Sequence, residues 1–440
     1  MINDNKVKVV ALWSAMVVGA GCQSAPQVTP DAAEQVEKTP TKAPGSNGQS
    51  DGVEVEVNRQ PLERSTPAEA GLDVEALERL KERAQSSKSD ALVVLKDGKV
   101  VFEWYPQGEA PGPIEAMSTT KSIVGLAVGI LVDQGKVRLE QPVHEFFPQW
   151  NQGRKKDILV KHLLNHTSGL QADRNTAEIY RSKDFVALAL AAELVSAPGQ
   201  EFFYNNKAVN LLAGIIEKAS GQRMDHFIAQ ALFAPLGIKD FGWTLDDAGN
   251  PHAMSGLQLS ALDMARIGQL VLNKGRWGDQ QVVSERWIEQ SLARGAAPSC
   301  GLLWWRNVDW RTVTITPEII ERWEKAGVDP QKIKALEPMF NKPFGIEAFG
   351  KEVARLWKVD DLPAAFQKEM WSKGVPNGKW EEGPRSAYNA NGYLGQYIYI
   401  EPHSGLVGVR QMAWQPEYKD ASKVDGMNDF MGLMRALVAD

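Results

Sequence analysis

Ser118 and Lys121 are the first residues whose types and spacing could do chemistry. A serine three residues before a lysine lies on the same face of a helix, so the two side chains can touch. Downstream, Ile123 to Leu131 is nearly all apolar or small, which predicts a buried helix whose first turn sits in a low-dielectric setting. Desolvation disfavours the ammonium and lets a lysine act as a base near neutral pH. A helix N-terminus also presents backbone N–H groups where an oxyanion would form. The tetrad is short, and a helix-capping serine beside a surface lysine would leave the same letters. It favours chemistry that Ser-x-x-Lys occurs once in this chain and opens its most apolar helix.

A second element is Tyr204-Asn205-Asn206, the only Tyr-x-Asn in the sequence. Tyrosine suits proton relay when neighbouring cations lower its pKa, and an asparagine amide can hold a substrate carbonyl. The bland alternative is a turn before a helix, with Asn206 capping it. Other chemistries fit less well. His162 and His166 are spaced as zinc ligands on a helix face could be, but there is no His-Glu-x-x-His pattern and no third ligand, so both are expected to be structural. Neither a Gly-x-Ser-x-Gly elbow nor a Gly-Lys-Ser/Thr phosphate loop occurs.

These residues need elements to position them. A helix is expected from Val74 to Gln85. Ala91 to Tyr105 then reads as a hairpin about Asp97-Gly98, a pair that tolerates the positive φ of a tight turn. A matching pair follows near the C-terminus: Gln396 to Ile400, a turn at Pro402-His403-Ser404-Gly405, and Leu406 to Met412, with a helical tail from Met427 to Ala439. Lys121 to about Leu292 is mostly helical in pattern. The fold class expected is therefore α+β: an antiparallel sheet formed by the N- and C-terminal segments, packed against a mostly helical lobe with the site in the cleft.

With Ser118 to Lys121 and Tyr204 to Asn206 in place, the chain resembles the β-lactamase-related serine hydrolases, a group with class C β-lactamases, DD-peptidases, esterases and 6-aminohexanoate-dimer hydrolases. The likeness extends to His162-Leu163-Leu164-Asn165-His166-Thr167-Ser168-Gly169-Leu170, Pro198-Gly199, Leu211 to Glu217, Pro235-Leu236-Gly237, Gly256-Leu257 and Asp263-Met264-Ala265-Arg266. It covers most of Leu62 to Trp305 and resumes at about Tyr388. The resemblance implies a β-lactamase/transpeptidase-like fold and acyl transfer through a covalent acyl-Ser118 intermediate. Lys121 and Tyr204 would share the protons, Tyr204 would serve as deacylation base, Asn206 would orient the acyl portion, and no metal or organic cofactor is called for.

The family's third motif, Lys-Thr-Gly, is where the sequence departs. The matching stretch is Ala390-Asn391-Gly392, followed by Tyr393. Gly392 permits a close approach of backbone to substrate, and the Tyr393 N–H could join that of Ser118 as an oxyanion hole. The lysine and threonine that receive a lactam carboxylate are missing, which favours an esterase or a peptide- or amide-cleaving enzyme over an efficient β-lactamase. A further departure is a helical insertion at about 306–386, with helical patterns from Pro317 to Ala326 and Gly350 to Trp357 and aromatics at Trp323, Trp357, Phe366, Trp371 and Trp380. It could cap the site, or it could be a subdomain burying its own aromatics.

Composition sets the outer bounds. The chain has 440 residues, of which 43% are hydrophobic, with a formal net charge of −6. That is ample for a packed core, and without a dense basic block nucleic acid is not an expected partner. Lys6 and Lys8 precede an apolar run from Val9 to Val18, too short to span a bilayer, and Gly19-Ala20-Gly21 precede Cys22. This resembles a bacterial lipoprotein signal over residues 1–22, with Cys22 lipidated and the chain exported to the periplasmic side of the cell envelope. A secretory peptide with Cys22 incidental is the alternative. Residues 23–61 read as a disordered linker, and 62–440 as the hydrolase domain. The expected partners are thus a small-molecule or peptide ester or amide and, through Cys22, a membrane. A non-catalytic envelope-binding module and a true β-lactamase or DD-peptidase are the competing readings.

Overall fold

The computed structural model describes residues 61–438, apart from 173–175, 298, 309, 371, 372, 374, 384, 385, 421 and 422. The export signal, Cys22 and nearly all of the linker lie outside the described residues. What is described falls into two compact units, residues 307–386 and the rest.

The larger unit begins with helix α1 (Val74–Ser86), capped by Asp73 on the Ala76 N–H, and with strands β1 (Ala91–Lys96) and β2 (Lys99–Trp104). Asp97 and Gly98 between them take φ of 50° and 81°, the positive angles a tight hairpin needs. Then come β3 (Ile114–Glu115), α2 (Thr120–Asp133), α3 (Asn206–Ser220), β4 (Gly242–Trp243), β5 (Leu257–Leu259), α4 (Ala261–Leu272), β6 (Arg276–Trp277), β7 (Gln280–Gln281) and β8 (Trp305–Val308), within which the boundary at residue 307 falls. The smaller unit contains β9 (Arg311–Thr314), α5 (Pro317–Lys325), β10 (Phe344–Gly345), α6 (Ile346–Trp357) and β11 (Lys379–Glu382). The chain ends with β12 (Ser386–Gly392), β13 (Gln396–Glu401), β14 (Leu406–Gln411) and α7 (Phe430–Arg435).

The principal sheet has the order β2-β1-β14-β13-β12-β8. Its centre joins the two ends of the chain, because β1 pairs antiparallel with β14 from Ala91↔Gln411 to Lys96↔Leu406. Alternate side chains of β1 go to different cores. Ala91, Val93 and Leu95 pack with Ile398, Ile400, Val407 and Val409 against the helical lobe, including Ile123, Val124 and Ile267. Leu92 and Val94 pack with Tyr397, Tyr399 and Leu406 against Leu77 and Leu80 of α1 and Phe430 and Met434 of α7. Both faces of the sheet are therefore covered, where the sequence reading placed a helical lobe against it. This explains why β1 is an unbroken apolar run and not an alternating one.

The C-terminal helix is shorter than the expected Met427 to Ala439. Met427 takes φ 49°, outside the helical region, so the chain turns before the helix starts at Phe430. In the smaller unit, α5 matches the expected span closely and α6 begins four residues earlier than its pattern suggested. A three-stranded sheet, β10-β9-β11, is present that no pattern announced. This unit has a core of its own, with Trp323 and Phe366 fully buried beside Val313, Ile315, Phe349 and Trp357, and Trp380 packed against it. Trp371 lies outside the described residues. Among the described residues no helix is long and apolar enough to cross a membrane.

Candidate active site

Ser118 sits in a single 3-10 turn, Met117–Thr119, and α2 begins only at Thr120. The serine is thus at the doorway of the helix and not within its first turn. Met117 before it takes φ 47°, an uncommon conformation for a non-glycine residue that costs about 1–2 kcal/mol. Such outliers persist where the surroundings over-determine them. Burial follows from the sequence of α2, in which every residue from Thr120 to Leu131 is inside. Lys121 is therefore held at 3% exposure, while Ser118 remains partly exposed.

Lys121 Nζ donates to Ser118 Oγ at 2.8 Å and to the Met254 carbonyl at 2.7 Å. Met254 is fixed in turn, its N–H donating to Asn210 Oδ1 of α3 at 3.0 Å. Flanking hydroxyls anchor the turn: Thr119 Oγ1 donates to the Gln396 carbonyl at 3.0 Å, and Ser122 Oγ to that of Leu303 at 2.6 Å.

Tyr204 comes to the same place. Lys121 Nζ lies 5.0 Å from the centroid of its ring. The ring packs on His166 at 4.6 Å and stacks on Trp305 at 6.2 Å. His166 is bound into the backbone on both sides of Tyr204: its carbonyl accepts from Phe203 N at 2.8 Å and its Nδ1 from Asn205 N at 3.2 Å. Burial, reinforced by the Lys121 charge, pushes the His166 imidazole down to about 3, so it is neutral and free to accept. His162 is equally local, its Nδ1 accepting from Leu159 N at 3.1 Å.

The cap of α3 is Asn205, not Asn206. Asn205 Oδ1 accepts from Ala208 N at 2.9 Å and its Nδ2 donates to the Leu170 carbonyl at 2.8 Å. Asn206 is the first helical residue, and its buried Oδ1 has no hydrogen-bond partner in the described structure.

The third wall is the end of β12. A Cβ placed on Gly392 would stand 2.6 Å from the Ala116 carbonyl oxygen, 2.9 Å from Met117 Cβ and 2.9 Å from Ser118 N. Only glycine allows this strand to lie so close to the Ser118 turn. Asn391 Nδ2 donates to Asn389 Oδ1 at 3.3 Å, while its buried Oδ1 has no partner. Tyr393 directs its hydroxyl to the Tyr418 carbonyl at 2.7 Å. Ala390, at the position matched to the motif lysine, is wholly buried in the core of the helical lobe.

The Beta-lactamase family profile matches residues 74–425, about four-fifths of the chain. The protein belongs to the Beta-lactamase family. Among its relatives, 6-aminohexanoate-dimer hydrolase of Paenarthrobacter ureafaciens is 29% identical over 264 residues, 53% of this chain and 65% of that protein. Protein flp of Staphylococcus aureus is 26% identical over 186 residues, 38% of this chain and 37% of that protein. The chain thus spans just under two thirds of the first relative's length and about a third of the second's. A solved structure from Bacillus anthracis, described as a proposed 6-aminohexanoate-dimer hydrolase, superposes with TM-score 0.55 at 18% identity, over 81% of this chain and 80% of that one. A proposed β-lactamase from Bacteroides dorei gives 0.58 at 17% identity, over 83% and 99%. The fold is accordingly the α+β, β-lactamase/transpeptidase-like one.

In this family frame, the structure brings together Ser118, Lys121, Tyr204 and Gly392. The arrangement offers a hydroxyl hydrogen-bonded to a buried amine, with an aromatic hydroxyl-bearing ring beside it. Sequence reading missed the Met254 carbonyl and Asn210, which orient the lysine. A backbone acceptor 133 residues away leaves no side-chain signature. Asn210 carried a faint one, standing four residues after Asn206 on the same helix face.

Proposed function

We propose that the protein is a serine hydrolase cleaving an ester or amide through an acyl-enzyme. The observation that carries this reading is the 2.8 Å hydrogen bond from Lys121 Nζ to Ser118 Oγ, with the lysine buried. Ser118 Oγ attacks the substrate carbonyl carbon, and its proton passes to Lys121 and Tyr204, which act as a coupled pair. The oxyanion is held by the N–H groups of Ser118 and Tyr393, beside Gly392. Collapse of the tetrahedral adduct expels the alcohol or amine with a proton returned from the pair, leaving acyl-Ser118. Water then adds to that ester with Tyr204 as base, releasing the acid and restoring the serine. Asn206 and Asn391, each with an unpartnered buried oxygen, would orient the bound acyl portion.

The amide class is favoured by the 29%-identical relative named for hydrolysis of the 6-aminohexanoate dimer. Efficient β-lactam turnover is disfavoured because the strand matched to Lys-Thr-Gly has no cationic side chain at 390–392. Lipidation at Cys22, with residues 23–61 as a tether to the periplasmic side of the envelope, is part of the same proposal. Steady-state turnover of a p-nitrophenyl ester, the linear 6-aminohexanoate dimer and a chromogenic cephalosporin tests it. Ester or amide turnover that exceeds cephalosporin turnover, and is lost in Ser118→Ala, is expected. Cephalosporin as the best substrate would replace the reading with a true β-lactamase, and binding with no turnover of any would replace it with a binding module.

A further inference from the structure

Arg410, on β14, is a charged side chain with no exposure at all. Its guanidinium is solvated by the protein. Nε donates to Ser89 Oγ at 2.8 Å, and Nη2 to the carbonyls of Ser87 and Asp425, each at 3.3 Å. Nη1 donates to the carbonyls of Leu394 and Gly395, the latter at 3.0 Å. Burial pushes the group down to about 10, which leaves it a cation at neutral pH. A buried charge is costly unless its hydrogen bonds are satisfied, and here backbone oxygens satisfy most of them.

Two of those oxygens belong to the turn Tyr393–Gly395, which leads directly out of Gly392. Leu394 in that turn takes φ 69°, a conformation that a leucine keeps only under constraint. The turn is tied at its far end as well: the Gln396 carbonyl accepts from Thr119 Oγ1 at 3.0 Å, and the Gln396 side chain pairs with the N–H and carbonyl of Met412. One run of five residues thus passes so close to Ser118 at Gly392 that a Cβ there would stand 2.9 Å from Ser118 N, and it is clamped by a buried guanidinium two residues on.

We propose that Arg410 is a positioning residue for the acyl transfer: its guanidinium holds the 393–395 turn, and through it Gly392 and the Tyr393 N–H, in register with Ser118. This rests on the hydrolase reading above. Both carbonyls of the turn are bound by Nη1, while Nε and Nη2 are held by Ser89, Ser87 and Asp425, so the planar group fixes the direction in which the Nη1 N–H bonds point, which a point charge cannot do. A misplacement of about 1 Å at such a site costs on the order of 10²-fold in rate.

The test compares wild type, Arg410→Ala and Arg410→Lys in the full chain. It reads kcat and KM on the best ester or amide, the rate of fluorophosphonate labelling at Ser118 per folded molecule, and folding by circular dichroism. The expected result is a loss of about 10²-fold in kcat and labelling rate for Arg410→Ala with KM within about threefold, and partial recovery of kcat when millimolar guanidinium ion is added. Arg410→Lys keeps the charge without the fork and should show the same split, so the proposal stays testable if Arg410→Ala does not fold. Unchanged kcat in a folded variant of an active wild type, or a loss matched by the unfolded fraction without guanidinium rescue, overturns the positioning role alone. A folded wild type that neither labels nor turns over ester or amide overturns the hydrolase reading and this role with it.

Discussion

Residues 117–121 and the end of β12 meet at Ser118 N, yet they differ in kind. The first segment carries a hydroxyl and a buried amine in contact with each other. The second carries Ala390, Asn391 and Gly392, with no charged group, and its nearest residue contributes only the absence of a side chain. In the proposed account the first segment supplies proton transfer and the second supplies shape, backbone donors and substrate choice. On that account, reaction chemistry is kept while the recognition strand is rewritten, because the two are built from different parts of the chain.

The comparison breaks most sharply at the nucleophile. Ser118→Ala should lower turnover by on the order of 10⁶-fold with the fold intact, measured by kcat/KM and circular dichroism. Lys121→Met should cost about 10³-fold in kcat and flatten the pH–rate profile between neutral and alkaline pH, since it removes the proton handler while keeping the stem. On the other side of the comparison, Ala390→Lys would put an ammonium into the helical-lobe core, so unfolding in urea should show a loss of more than about 3 kcal/mol. If that variant were stable and gained penicillin acylation, position 390 would be a recognition position after all. Gly392→Ala forces a Cβ to within 2.6 Å of the Ala116 carbonyl. It should cost about 1–3 kcal/mol of stability and slow labelling of Ser118.

The effect least tied to either segment is on stability against pH. His166 and His252 are pushed down to about 3 and about 4, chiefly by burial. Both are neutral when folded and take up protons more readily when unfolded. Their contribution is complete above about pH 6.5 and is lost as pH falls towards 4, at up to about 1.4 kcal/mol per pH unit each. Glu115, pushed up to about 7 by burial, works in the opposite sense between its ordinary value and 7 and offsets part of this slope. Urea melts at several pH values check the direction, and His252→Phe should reduce the slope.

What was legible in the sequence follows from locality. The Asp97-Gly98 hairpin, the β13–β14 pair, and the apolar α2 with Ser118 at its entry are each written in adjacent residues. Their antiparallel closure of the sheet followed from placing strands at both ends of the chain. Tyr204 was legible as a motif, but which asparagine caps α3 was not: the bland alternative put the cap at Asn206 and the structure puts it at Asn205, because two asparagines stand side by side and only geometry separates them. The three-stranded sheet of the smaller unit was not legible, since its strands run two to four residues and leave no period to read. Arg410 was invisible for a different reason: an arginine at the end of a strand usually means an exposed edge, and its burial depends on carbonyls that come from a turn sixteen residues earlier.

Intact-mass analysis of the protein after exposure to a fluorophosphonate, followed by peptide mapping, with Ser118→Ala as control, tests the central claim most directly. The account predicts one adduct per chain, located on Ser118 and missing from Ser118→Ala. Folded wild-type protein that takes up no label, or that takes it up at another residue, would contradict it.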